Sequence, residues 1–126
     1  MAVYMNIILI GPVSGNIERA KRVFATAERA FVEEGHVVVQ NPMRDHVGGK
    51  SEAEYMQESL SRICQLVIDK TPDLIAVVLP YWSKSDGAMC EAELCRKLKI
   101  MKHSWEILPC ILAFAITAEA NGRAIQ

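Results

Sequence analysis

Hydrophobic and polar positions follow two alternating rhythms along this chain. Val3–Ile10 is a continuous apolar run that stops at Gly11-Pro12, the pattern of a strand buried on both faces. From Ile17 the period changes: Ile17, Ala20, Phe24, Ala27 and Phe31 recur at helical spacing, and Lys21, Arg22, Glu28 and Arg29 fall off that stripe. Gly35 stands where such a helix ends. Val37–Val39 predict a short second strand, closed by Asn41-Pro42. After a loop over Met43–Lys50, Ser51-x-x-Glu54 is a capping box that opens a helix with the apolar stripe Met56, Leu60, Ile63 and Val67. Asp69-Lys70-Thr71-Pro72 breaks that helix. Leu74–Leu79 reads as a third strand, Pro80–Asp86 as a loop, Gly87–Leu98 as a third helix and Ile100–His103 as a fourth strand. Beyond Trp105 the pattern is ambiguous: Cys110–Ile116 fits a fifth strand or, joined to Ala118–Asn121, a terminal helix.

Strand and helix in alternation predict a single α/β domain over residues 1–126, with a Rossmann- or flavodoxin-like parallel sheet of four to five strands and helices on both faces. Ligands of such sheets bind beyond the carboxyl ends of the strands, at the switch point. The turns Gly11–Asn16, Asn41–Lys50 and Pro80–Gly87 all follow strands, so they are expected to converge on one edge.

Composition narrows the class. Hydrophobic residues make up 51% and charged residues 23%, which suits a packed core rather than a disordered chain. The net charge is −1, from 14 basic and 15 acidic residues, and no basic face is evident, so a nucleic-acid polymer is not an expected partner. Cys64, Cys90, Cys95 and Cys110 show neither CxxC spacing nor a Cys/His zinc pattern, and read as reduced thiols. No basic leader precedes the first strand, and apolar Ile107–Ala118 is shorter than the roughly 20 residues of a membrane span. A cytoplasmic protein without membrane contact is the expectation.

Glu91 is the most informative residue. On a helix that begins near Gly87, with about 100° per residue, Ala88, Leu94, Cys95 and Leu98 share one face and Glu91 falls at its centre. A carboxylate on a buried stripe is costly unless something uses it. In the first turn it suits a nucleophile or an acceptor for ligand hydroxyls; the competing reading is a carboxylate that caps its own helix or pairs with a cation. Gly11-Pro12-Val13-Ser14-Gly15-Asn16 is a strand-to-helix turn able to hold an anion on free N–H groups, or simply a tight turn capped by Ser14 or Asn16. It matches neither a Walker sequence nor GxGxxG. Tyr81 and Trp82 follow a buried strand, placed to stack on a base or to close over the sheet edge. Ser85 and Asp86 fit a helix cap or ligand hydroxyls. His36 reads as structural, while His46, Arg44 and Asp45 occupy the long second loop, free to meet a ligand or solvent.

The run Leu79-Pro80-Tyr81-Trp82-Ser83-Lys84-Ser85-Asp86-Gly87-Ala88-Met89-Cys90-Glu91 resembles a phage-associated family of unknown function that is similar to the nucleoside 2-deoxyribosyltransferases. Ile10–Gly15, Gly35-His36-Val37-Val38, Asn41-Pro42 and Tyr55-Met56 carry the same resemblance, which extends over roughly residues 6–104. Residues 106–126 form an extension outside it. The resemblance implies that Glu91 attacks C1′ of a deoxynucleoside, forms a deoxyribosyl ester and releases the base. Capture by a second base makes a transferase; capture by water makes a 2′-deoxynucleoside 5′-monophosphate N-glycosidase. It implies a sugar or phosphate held by Gly11, Pro12, Ser14, Gly15 and Asn16, with Tyr81, Trp82, Ser85 and Gly87 also in the binding site. It also implies a homo-oligomer, and the chemistry calls for neither metal nor cofactor. The chain departs from the transferases at Ser59, which stands about where they carry an aspartate that assists the leaving base, with Glu58 beside it. Ser59 is therefore the second candidate catalytic residue. Two alternatives stand beside the enzyme: a binding protein that sequesters or senses a nucleotide, and a module that merely keeps the scaffold.

Overall fold

The computed structural model describes residues 4–44 and 46–122. Its four strands, β1 (Asn6–Ile10), β2 (Val37–Gln40), β3 (Leu74–Val78) and β4 (Met101–Ser104), alternate with α1 (Ile17–Glu33), α2 (Glu52–Ile68) and α3 (Asp86–Lys97), and the described chain ends in α4 (Cys110–Ala120). All pairs are parallel and the order is β2-β1-β3-β4. That is a Rossmann- or flavodoxin-like sheet, whose direction of winding reverses between β1 and β3.

The continuous apolar runs are explained by two cores, one on each face. Ile7 and Leu9 of β1, with Ile75 and Val77 of β3, pack beneath Phe24 and Phe31 of α1 and Ile116 of α4. Their neighbours Ile8, Ile10, Ala76 and Val78 pack against Ile63 of α2 and Ala88, Ala92 and Cys95 of α3. Successive side chains point to opposite faces, so a strand covered on both sides has no polar positions to alternate.

One open alternative is decided and two expectations are corrected. The ambiguous segment after Trp105 is helix, not a fifth strand: Ile116 and Ala120 close the core over α1, Thr117 Oγ1 accepts from Trp105 Nε1 at 3.0 Å, and Glu119 lies 3.5 Å from Arg22. α2 is rotated from its anticipated stripe, because Ser59 and Ile63 are its buried residues and Val67 is exposed. The first strand begins at Asn6; Val3 lies outside the described residues, as does Asp45. Among the described residues no helix is long and apolar enough to cross a membrane.

Candidate active site

The carboxyl ends of β1, β2 and β3 open into a cleft of about 970 Å³. The β1–α1 turn contributes Gly11, Ser14 and Gly15; the end of β2 contributes Gln40; the loop after it contributes His46; α2 contributes Tyr55 and Ser59; and the start of α3 contributes Ser85, Gly87 and Glu91. The cleft therefore lies at the edge where the winding reverses.

Helix periodicity on α3 turns Ala88, Glu91, Ala92 and Cys95 inward. Glu91 is only 5% exposed. The rotation of α2 brings Ser59 to meet it, and the Ser59 hydroxyl donates to Glu91 Oε2 at 2.5 Å. Burial pushes the Glu91 carboxyl from its ordinary 4.5 up to about 7, against the hydrogen bond from Ser59, which lowers it. Among the described residues no cation offsets this charge. The nearby Cys95 thiol is pushed up to about 12, first by burial and then by the charges of Glu91 and Cys64, so it is inert at neutral pH. A buried carboxyl that borders an open cleft, with its pKa pushed toward neutrality, is a feature that functional sites share.

The glycine turn is built for close approach. Gly15 has φ +99°, a conformation that suits glycine. Gly11 lies where a Cβ would stand 3.0 Å from Leu79 Cβ and 3.3 Å from Phe24 Cζ. Gly11→Ala is expected to cost about 1–3 kcal/mol through overpacking, read as a lower denaturation midpoint with an unchanged slope. Asn16 serves as the cap of α1, its Oδ1 accepting from Arg19 N at 3.0 Å. Ser85 caps α3, its Oγ accepting from Ala88 N at 3.3 Å, while still lining the cleft.

The aromatic residues are arranged differently from expectation. Tyr81 and Trp82 do not line the cleft, nor do Pro12 and Asn16. Tyr81 adopts a left-handed φ of 65°, is half exposed, and donates its hydroxyl to Asn121 Oδ1 at the end of α4. Trp82 packs against the core beneath α3, with Lys102 Nζ 4.5 Å from its ring centroid. These two side chains tie the β3–α3 loop to the rest of the fold. The rings at the cleft are His46 and Tyr55, stacked at 5.1 Å and 25°. The Tyr55 hydroxyl bonds the Val47 carbonyl, which fastens the loop that carries His46. Spacing alone gave Tyr55 no distinction; only its place in the Tyr-Met pair of the resemblance singled it out.

The charged rim is largely self-paired. Arg44 meets Glu28 at 2.6 Å, and Lys50 and Arg62 lie 2.5 and 3.8 Å from Glu58. Glu58 is thus engaged with cations, away from the role of a free acid beside Ser59. Among the described residues no group of three or more His, Cys, Asp or Glu side chains is placed to hold a metal ion.

The model of a family described as a domain of unknown function, DUF4406, matches residues 1–102. The chain belongs to that family. Every residue lining the cleft lies inside the matched segment, and α4 lies beyond it. No curated protein matches the chain, and no solved structure does.

Proposed function

We propose that this DUF4406 protein cleaves or transfers the N-glycosidic bond of a deoxynucleoside or its 5′-monophosphate, with Glu91 as nucleophile. The observation that carries this reading is the Glu91 carboxylate: buried, at the cleft wall, and held by a hydroxyl rather than by a cation. Ser59 engages Oε2, which leaves Oε1 to attack C1′. A C1′–O bond forms as the C1′–N bond breaks, and the electron pair departs with the base, which takes a proton from water. Water or a second base then displaces the glutamate, restoring the carboxylate and passing its own proton to solvent. The scheme is that of a retaining glycosidase with one of its two carboxyl groups replaced. The resemblance of residues 79–91 to a family that is itself similar to the nucleoside 2-deoxyribosyltransferases supports the same substrate class. In this proposal Gly11, Ser14 and Gly15, with Ser85 and Gly87, hold sugar and phosphate, and the His46–Tyr55 stack flanks the base.

One observation favours the second reading, a nucleotide-binding protein without turnover: Ser59 cannot donate a proton as a carboxylic acid does. Incubation with a panel of deoxynucleosides and their 5′-monophosphates, followed by chromatography for free base, separates the two. The enzyme releases base from at least one member. A binder releases none, yet shows a melting temperature that rises with ligand concentration.

A further inference from the structure

Gln40 closes β2 and is 4% exposed, yet its Nε2 has no hydrogen-bond partner; it is the buried side-chain atom so left among the described residues. The neighbouring Asn41 shows what satisfaction looks like here. Its Nδ2 donates to Glu28 at 3.0 Å and its Oδ1 accepts from Met43 N at 2.9 Å. An unpaired buried donor is costly and calls for a reason.

Two further features point to the cleft. Gln40 lines it. The β1–β2 ladder also slips just before Gln40, pairing Ile7 with Val38 but Ile8 with Gln40, so that Val39 is an extra residue. Such irregularities re-aim side chains near binding sites. Arg44 Nη2 donates to the Val38 carbonyl at 2.8 Å and fastens the strand end in that geometry. The cleft lining beside Gln40 in the chain is mixed, with Val39, Asn41, Met43 and Arg44, and the same cleft carries the His46–Tyr55 ring stack. A neutral amide has no charge of its own to offer a phosphate. It suits a flat heterocycle that carries a ring nitrogen or carbonyl oxygen.

We infer that Gln40 reads a hydrogen-bond acceptor on the nucleobase, with the base toward the β2–α2 segment. This rests on the proposal that the cleft takes a nucleotide, but not on turnover. Gln40 is then a specificity residue whose donor is left unpaired by the protein so that the correct base can complete it.

The test measures binding by calorimetry in the Glu91→Gln background, which removes turnover. The four common 2′-deoxynucleoside 5′-monophosphates are compared with 2′-deoxyribose 5-phosphate, which lacks a base. Gln40→Leu, with Gln40→Met as a second variant in case leucine disturbs packing, is expected to weaken the preferred nucleotide by about tenfold. Deoxyribose phosphate binds all forms equally, and neither variant melts lower than its parent, because the lost donor made no hydrogen bond within the protein. Unchanged nucleotide affinity overturns the inference, as does an equal loss for deoxyribose phosphate. A fall in melting temperature with affinity unchanged assigns Gln40 to the scaffold instead, and failure of the parent to bind any of the four nucleotides removes the basis altogether. Base selectivity that follows Gln40, with no base release by protein that keeps Glu91, contradicts the proposed chemistry alone. Base release with selectivity indifferent to Gln40 contradicts this inference alone.

Discussion

Glu91→Gln is expected to abolish base release, by at least about a thousandfold in kcat, while making the protein more stable above neutral pH. The first effect follows from exchange of an anionic oxygen nucleophile for a neutral amide of the same shape. The second follows from linkage. Burial raises the Glu91 carboxyl from 4.5 to about 7, so between those values the folded state binds more protons than the unfolded state. Stability therefore falls as pH rises through that window, and the loss is complete above about pH 7. It amounts to roughly 3 kcal/mol, about 10 °C in melting temperature for a chain of this size. The glutamine variant carries no such charge. Its melting curve should coincide with that of the parent below about pH 4.5 and lie above it at pH 8. A variant less stable than its parent at pH 8 would mean that the glutamate holds the fold together, as a capping or paired carboxylate does.

The second large effect concerns Ser59. Its hydroxyl is the group that lowers the Glu91 carboxyl against burial. Ser59→Ala removes a hydrogen bond to the ionised form, which shifts the midpoint of the kcat/KM profile upward by about one pH unit or more. Activity depends on the deprotonated carboxylate, so base release at pH 7 drops about fivefold or more and recovers as the pH approaches 9. Ser59→Thr keeps the hydroxyl and should keep the profile. A uniform loss at every pH would show that Ser59 merely packs α2 against α3.

Much of this architecture was legible in the sequence because the relevant signals are local. The continuous runs Ile7–Ile10 and Ile75–Val78 announced strands buried on both faces, and Ser51 with Glu54 announced the start of α2 through a capping box that is present in full. The inward face of Glu91 followed from helical period alone. What could not be read was the pairing of elements distant in the chain. Only the resemblance singles out Ser59, which sits among half-apolar neighbours; the meeting of α2 with α3 makes it a buried partner 32 residues from Glu91. The terminal segment was ambiguous because Cys110–Ala118 is apolar all round, so neither period dominates and the surface of α1 decides. The place of Tyr81 and Trp82 after a strand suggests a pocket mouth, whereas a left-handed turn at Tyr81 and packing on the core fix where the rings go. Gln40 carried no signal at all, since an unpaired amide is visible only once its neighbours are known.

A covalent ester on Glu91 tests the central claim most directly. Protein mixed with the nucleotide it cleaves is quenched in acid within the first turnovers, weighed intact, and digested for peptide mapping. The account predicts a gain of one deoxyribosyl group, with its phosphate where the substrate has one, on the peptide that contains Glu91, and no gain in Glu91→Gln. Base release with that peptide unmodified, or with the sugar on another side chain, contradicts it.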